Sequence, residues 1–189
     1  MGVLPKRRAW LRRGAACALL CASLSAQVQD APPSEYQVKA AFLYNFGRFV
    51  EWPPQPRPPS AFTICVLGQD PFGPVLDELI KGKTIQDLKV VVRRLERVED
   101  AGDCRILFIS SSEDVRLAHI LATLHGRSVL TVGEAERFAH RGGMINFRLE
   151  GAKVRFEINP DAAGQAGLTI SSQLLKLARI VHESPQSGV

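Results

Sequence analysis

Residues of the types that catalyse reactions or bind phosphate are present, but their spacing does not fit either chemistry. Gly82-Lys83-Thr84 has the form of the end of a phosphate-binding loop, yet Asp77 occupies the position where that loop needs a glycine. Ser110 to Ser112 follow an apolar run, where hydrolase nucleophiles occur, without the glycines of a nucleophile elbow. Helix capping is a sufficient reason for these serines.

The spacing of the histidines and carboxylates does not fit a metal site or a catalytic acid–base pair either. His119 and His125 do not share a helix face, as metal ligands at positions i and i+4 would. Glu113 and Asp114 are neighbours whose side chains point apart, which is typical of solvated charge. We therefore expect no catalytic residue, no cofactor and no metal, and this favours a role in binding.

The N-terminus has the order of features that defines a secretory signal peptide. Basic residues from Lys6 to Arg13 precede the uncharged run Gly14–Leu24, and small residues follow at Ser25 and Ala26. The apolar run is shorter than the ~20 residues that cross a bilayer, so a cleaved signal is favoured over an anchor. We predict export to the periplasm without membrane insertion.

Two variants of this export signal remain open. Arg7-Arg8 loosely suits twin-arginine export, although an ordinary basic n-region also accounts for the pair. Cys21 is a candidate for lipidation, but the bulky Leu20 precedes it where a lipoprotein signal has a small residue.

Cleavage of the signal changes the charge of the protein. The chain has 24 Lys and Arg and 19 Asp and Glu, a net charge of +5. All of that excess lies in the signal, which has no acidic residue, so the mature protein is neutral. The basic precursor is therefore no indication of nucleic-acid binding.

Cys65 and Cys104 are the cysteines that remain after Cys17 and Cys21 leave with the signal. An even pair in an oxidising compartment predicts a disulfide, and two buried free thiols are the alternative. A bond across so long a loop would stabilise the fold by roughly 4 kcal/mol through chain entropy.

Strand and helix patterns alternate along the mature chain. Apolar runs predict strands over residues 62–67, 88–95, 105–109 and 128–132, and helices over residues 71–81, 113–126 and 134–139. Two more strand-like runs, 143–149 and 153–158, predict a hairpin. Gly164 and Gly167 predict a loop before a last helix capped by Ser171 or Ser172. The order predicts a single α/β domain: a mainly parallel mixed sheet flanked by helices, a C-terminal antiparallel hairpin and a final helix.

A helix predicted over Tyr36–Val50 carries more apolar and aromatic side chains than one buried stripe requires. Pro53 ends it, because proline disfavours helix in the preceding residue. Phe46, Phe49 and Trp52 are therefore candidates for contact with a partner, a dimer mate or a ligand. The alternative is that each of them belongs to the core.

The ordered motifs resemble the YfiR-like family of periplasmic regulators. The resemblance begins with Val38–Phe46 and Phe49–Pro53, and it continues in residues 106–112, 129–133, 142–147, 156–159 and 170–175. It spans about residues 36–182. It implies a periplasmic α/β domain that dimerises and represses a membrane diguanylate cyclase by binding its periplasmic sensor domain, which lowers cyclic-di-GMP output and biofilm formation.

The resemblance also bears on the cysteines and on the plan of the chain. Cys65 and Cys104 match positions at which family members carry a disulfide, whereas a second, C-terminal pair found in some members is absent from this sequence. The expected plan is a signal peptide (1–26), a flexible lead-in (27–34), a YfiR-like domain (35–184) and a flexible tail (185–189). Expected partners are an inner-membrane diguanylate cyclase or related sensor protein and a second copy of the chain. A periplasmic small-solute-binding module and an enzyme of unrecognised type are the rival hypotheses.

Overall fold

The structure, a computed structural model, describes residues 33–55 and 58–182. The predicted signal peptide, residues 27–32 of the predicted lead-in and the predicted tail lie outside these residues. In the part that is described, no helix combines the length and the apolar character needed to cross a membrane.

The helices and strands of the described residues follow one another in this order: α1 (Glu35–Phe49), β1 (Val50–Glu51), β2 (Phe62–Leu67), α2 (Pro74–Ile80), β3 (Thr84–Ile85), β4 (Leu88–Leu95), β5 (Ile106–Ile109), α3 (Leu117–Leu124), β6 (Leu130–Gly133), β7 (Ile145–Glu150), β8 (Lys153–Ile158), α4 (Pro160–Gln165), β9 (Thr169–Ile170), α5 (Ser172–Leu175) and β10 (Arg179–Ile180). Short 3-10 helices cover Val98–Asp103, Ser111–Arg116 and Phe138–Arg141.

A mixed sheet with strand order β10-β8-β7-β6-β5-β2-β4-β3 forms the centre of the domain. The pairs from β4 through β2, β5 and β6 to β7 are parallel, and β7 pairs with β8 as an antiparallel hairpin. β1 and β9 form a separate antiparallel pair. The predicted fold class, a mainly parallel mixed sheet with a C-terminal antiparallel hairpin, is confirmed.

The two faces of the sheet bury separate cores because successive strand residues point to opposite sides. On one face, Ile64 and Phe108 join the core that Leu43 of α1 and Leu76 of α2 cover. On the other face, alternate residues of the same strands pack with α3 in the core that contains Cys65, Leu107, Leu117 and Ile120. Each β2 and β5 residue is therefore buried, as the unbroken apolar runs predict.

Helix α1 begins at a capping box. Ser34 Oγ accepts a hydrogen bond from the Gln37 N–H, and Gln37 Oε1 accepts one from the Ser34 N–H. Near its other end, Gly47 lets the helix approach the sheet closely. A Cβ at this position would lie 2.9 Å from Phe62 and 2.7 Å from Ile85, so any larger residue would push the helix away.

Three predicted helices are shorter than their patterns indicate. The helix expected over 113–126 is α-helical only at Leu117–Leu124, after the 3-10 turn Ser111–Arg116. The helix expected over 71–81 begins only at Pro74, because Asp70 Oδ1 accepts from the Phe72 N–H and Gly73 adopts a φ of 52°. The helix expected over 134–139 is a 3-10 turn at Phe138–Arg141. That turn lies against Gly143, where a Cβ would be 2.1 Å from the Phe138 ring.

The C-terminal prediction needs two corrections. Gly164 lies within α4 and not in a loop, because Pro160 occupies the first turn and the Asn159 side chain accepts from the Ala162 N–H. The predicted last helix has only one turn, α5, which Ser171 caps. The chain then pairs with β8 as strand β10, so that edge of the sheet takes residues that the sequence pattern assigns to a helix.

Candidate functional site

Cys65 and Cys104 form the predicted disulfide, with their Cα atoms 5.9 Å apart. Cys65 lies within β2, and Cys104 lies two residues before β5, the parallel neighbour of β2. Both cysteines are buried. The bond therefore joins two central strands and holds the segment that carries the next residue, Arg105, in place.

Trp52 follows the first helix and lies near this segment. Its ring meets the ring of Phe62 edge to face, with the centroids 5.3 Å apart. The guanidinium carbon of Arg105 lies 5.8 Å from the Trp52 ring centroid, within the range of a cation–π contact. Trp52 Nε1 is buried and has no hydrogen-bond acceptor.

Arg105 lines a cavity of about 820 Å³ at the amino ends of β2, β5 and β6. Two further arginines, Arg93 and Arg127, line the same cavity, and among the described lining residues Asp103 is the one acidic side chain. We call this cavity the basic pocket. Cys104 also belongs to its wall, so the disulfide and the arginines occupy one region of the molecule.

The electrostatic setting of Arg105 is unfavourable in the protein alone. The residue is 9% exposed, and its Nη1 atom is buried without a hydrogen-bond partner. Burial lowers the pKa of the Arg105 guanidinium below its ordinary value. A buried charge without a partner carries a desolvation cost that an ion pair would offset.

The opposite end of the parallel strands has a cavity of about 500 Å³ that contains a buried lysine with two carboxylate partners. Lys39 Nζ lies 2.5 Å from Glu134 Oε2, forms a second ion pair with Glu35, and lies over the Tyr36 ring. We call these four residues the lysine cluster. Burial by itself lowers the Lys39 pKa, but hydrogen bonds and charge from Glu134 and Glu35 outweigh it and hold that pKa above its ordinary value.

A second polar group lines the cavity beside the lysine cluster. Glu157 is buried on β8, and its Oε1 atom accepts from Arg148 Nη1 at 2.6 Å. Asn146 Nδ2 donates to Glu157 Oε2 at 3.3 Å, while Asn146 Oδ1 is buried without a donor. The carboxylates of Glu35, Glu134 and Glu157 are therefore paired with cationic side chains of the protein itself.

The three aromatic candidates of the sequence differ in burial. Phe46 is 0% exposed and stacks on Phe147, with the ring centroids 5.7 Å apart. In this structure Phe46 is therefore a core residue with no surface for a partner to contact. Its neighbours Phe42 and Phe156 complete that aromatic core. Phe49 and Trp52 are half-buried at the edge of the same core and keep part of their surface exposed.

Some exposed apolar side chains were not among the sequence candidates. Leu177 is 71% exposed and Ile180, on the edge strand β10, is 42% exposed. Leu149 is 51% exposed on the neighbouring hairpin, and Val115 is 98% exposed next to α3. The hairpin side of the sheet therefore carries exposed apolar side chains.

Sequence reasoning missed both buried cations. Arg105 was assigned to a strand, and Lys39 to an apolar helix, without a separate role. The available signal was a charged residue next to apolar ones: Arg105 directly precedes Ile106–Ile109, and Lys39 lies between Val38 and Ala40. Such a signal indicates burial but does not reveal whether a counter-charge is present.

Comparison with known proteins supports this description at two levels. The profile of a family described as YfiR/HmsC-like matches residues 36–179. Among solved structures, the chain is similar to an ABC domain from Streptococcus pneumonia in complex with L-Trp, with a TM-score of 0.52 and 10% identity over 77% of this chain and 60% of that one. It is also similar to a conserved domain protein from Vibrio cholerae O1 biovar El Tor, with a TM-score of 0.51 and 14% identity over 79% of this chain and 61% of that one. This chain thus spans about three fifths of both solved chains, and at these identities the likeness concerns the fold alone.

Proposed function

The chain belongs to the YfiR/HmsC-like family, and from that premise we propose that it is a non-catalytic repressor of a membrane signalling enzyme. The family is one of periplasmic regulators of diguanylate cyclase signalling. The family match over residues 36–179 is the observation that carries the proposal. The target is the periplasmic sensor domain of an inner-membrane diguanylate cyclase.

Repression by this route needs only binding. A regulator that prefers the inactive conformation of the sensor domain shifts the cyclase towards that conformation, in proportion to its difference in affinity for the two states. The cyclase then makes less cyclic-di-GMP, and biofilm formation falls. The signal-peptide pattern of residues 1–26 supports periplasmic action, because it directs the mature chain to the compartment in which the sensor domain lies.

The half-buried aromatic residues Phe49 and Trp52 are the proposed contacts for the partner or for a second copy of the chain. Interface hot spots favour large aromatic side chains whose edges are already fixed by packing. Both residues pack against the core while part of each side chain stays exposed. The neutral mature chain supports contact through apolar surface over capture by charge.

The test measures partner binding and stability together. Mature protein from the periplasm is immobilised and incubated with detergent-solubilised inner membrane, and the retained cyclase is identified and its affinity determined. We expect Phe49→Ala and Trp52→Ala to weaken binding at least about ten-fold, the effect of a hot-spot residue. Tyr44→Ala is the matched control, because Tyr44 is a half-buried aromatic residue of the same helix that is outside the proposed contact.

Three outcomes would contradict the proposal. A cyclase that is not retained by the wild-type protein, or cyclic-di-GMP that does not rise when the gene is deleted, would exclude repression. Equal losses of stability and binding in the Phe49, Trp52 and Tyr44 variants would assign the aromatic residues to the core. In that case, Leu177→Ser and Ile180→Ser on the exposed hairpin side would be the next variants.

A further inference from the structure

The basic pocket contains an arginine whose charge is not balanced by any carboxylate of the described residues. In the described residues, no carboxylate lies within ion-pair distance of Arg93, Arg105 or Arg127. Arg93 and Arg127 are exposed, so water solvates their charges. Arg105 is 9% exposed, and its Nη1 atom is buried without a hydrogen-bond partner, so that part of the guanidinium is neither solvated nor paired.

One further hydrogen-bond donor without an acceptor accompanies this charge. Trp52 Nε1 is buried without an acceptor, and its ring centroid lies 5.8 Å from the Arg105 guanidinium carbon. The neighbouring hydroxyl of Ser128 is already engaged, since it donates to the Ala166 carbonyl at 3.0 Å. The region therefore offers donors and positive charge, and its acidic residue, Asp103, forms no ion pair with Arg105.

The alternative of a purely structural arginine is not favoured by these contacts. Buried polar groups in folded proteins nearly always have partners, and an orphaned one calls for an explanation such as a site for a ligand. The fold satisfies its other buried cation, Lys39, with two carboxylates. The cavity beside Arg105, at about 820 Å³, is large enough for a small organic molecule.

We propose that the basic pocket binds a small molecule through its oxyanion group, a carboxylate or a phosphate, with Arg105 as the principal contact. The planar guanidinium presents paired N–H donors that match the two oxygens of such a group. Arg93 and Arg127 at the rim attract the anion. The Trp52 ring lies against the Arg105 guanidinium, so an anion bound at Arg105 changes the surroundings of this ring.

This site does not depend on the proposed repression of a cyclase. A protein that binds no cyclase can still bind an anion here, and a repressor can lack the anion site. The two ideas are therefore tested with different ligands and different variants, and failure of one leaves the other intact.

The experiment uses mature protein purified from the periplasm and dialysed into chloride buffer. Inorganic phosphate and succinate are titrated separately, and sodium chloride of equal ionic strength is the reference. Binding is followed by calorimetry and by tryptophan fluorescence. Trp52 then reports on the pocket, since the other tryptophan of the chain, Trp10, lies in the predicted signal peptide.

We expect at least one of the two anions to bind saturably and to change the Trp52 fluorescence, whereas chloride does not. Arg105→Gln should raise the dissociation constant at least about ten-fold, and Arg155→Gln should leave it unchanged. Arg155 is a suitable control because it is an exposed arginine outside the basic pocket. Binding of phosphate alone or of succinate alone would identify the oxyanion chemistry.

Arg127→Gln provides a second variant if Arg105→Gln does not fold. Arg127 is exposed, so its substitution is expected to preserve the fold and to weaken binding by about two- to five-fold, with a stronger effect at low salt. The proposal is overturned if neither anion binds the wild-type protein more tightly than chloride does. It is also overturned if folded Arg105→Gln binds both anions as the wild type does.

Discussion

The lysine cluster and the basic pocket lie at opposite ends of the same parallel strands, and both contain a buried cation. Lys39 is 3% exposed and has two carboxylates within ion-pair distance. Arg105 is 9% exposed and has none, only the face of Trp52. The comparison shows that burial of a charge does not by itself reveal its role: the partner does, because a paired charge holds the fold together and an unpaired one is available to a ligand.

The pKa directions of the two cations agree with this distinction. The pKa of Lys39 is raised, because the favourable interactions with Glu134 and Glu35 exceed the cost of burial. The pKa of Arg105 is lowered, since burial is the sole cause that acts on it. The fold therefore stabilises the charged form of Lys39 and destabilises the charged form of Arg105.

The largest expected effect is that of Lys39→Met. Removing the cation leaves Glu134, whose side chain is 10% exposed, as a buried carboxylate without a counter-charge, held only by the long hydrogen bond from the Tyr36 hydroxyl at 3.5 Å. We expect the free energy of unfolding to fall by about 3–5 kcal/mol in urea denaturation. Lys83→Met is the matched control, because Lys83 is an exposed lysine over the Tyr44 ring, and it should cost less than about 1 kcal/mol. If Lys39→Met lowers the free energy of unfolding no more than Lys83→Met does, the paired cation of the lysine cluster is not structural, and it no longer differs in role from Arg105.

Loss of the disulfide is expected to have the next largest effect, on the side of the basic pocket. The double substitution Cys65→Ala and Cys104→Ala should lower the free energy of unfolding by about 2–5 kcal/mol. The reason is that the bond restricts the unfolded chain and joins two central strands. Thiol titration of the unfolded, unreduced wild type serves as the control and should find no free thiol. A melting temperature unchanged by reduction would show that the bond has no structural role.

The lysine cluster should also give the protein a dependence on alkaline pH. Lys39 has a raised pKa in the folded state, so its contribution to stability is complete below the unfolded-state value of about 10.4 and is lost as the pH rises through the folded value. Tyr36 acts in the same direction, because burial and the charge of Glu134 raise its pKa and favour the neutral form in the fold. Denaturation between pH 10 and 12 should therefore show a steeper fall for the wild type than for Lys39→Met. If the wild type and Lys39→Met lose stability equally over this pH range, Lys39 is not the source of the alkaline pH dependence.

Arg105→Met should have the smallest effect on the stability of the unliganded protein. The substitution removes a desolvated charge and loses only the contact with Trp52, so we expect a change within about 1 kcal/mol in either direction. Urea denaturation in chloride buffer, beside Lys39→Met, measures the contrast directly. A loss as large as that of Lys39→Met would make Arg105 a structural residue and would weaken the case for a ligand.

Local patterns sufficed for much of the fold but for little of the site. The apolar runs from Phe62 to Leu67 and from Ile106 to Ile109 predicted buried parallel strands, since only strands covered on both faces tolerate such runs. The pattern failed after Asn159, where a buried side-chain cap starts a helix, and after α5, where an open sheet edge recruits β10. Contacts between distant segments of the chain determine where α4 and β10 form, and these contacts cannot be predicted from local residue propensity.

The sequence by itself determined the order of the signal-peptide features, the α/β alternation, the family resemblance and the pairing of Cys65 with Cys104. Each of these depends on composition or on spacing along the chain. The tertiary structure alone decided that Phe46 is enclosed while Trp52 stays partly exposed, that Glu134 faces Lys39, and that no carboxylate faces Arg105. The physical reason is that the energy of a buried charge depends on the atoms within a few ångströms of it, and folding brings those atoms from distant parts of the chain.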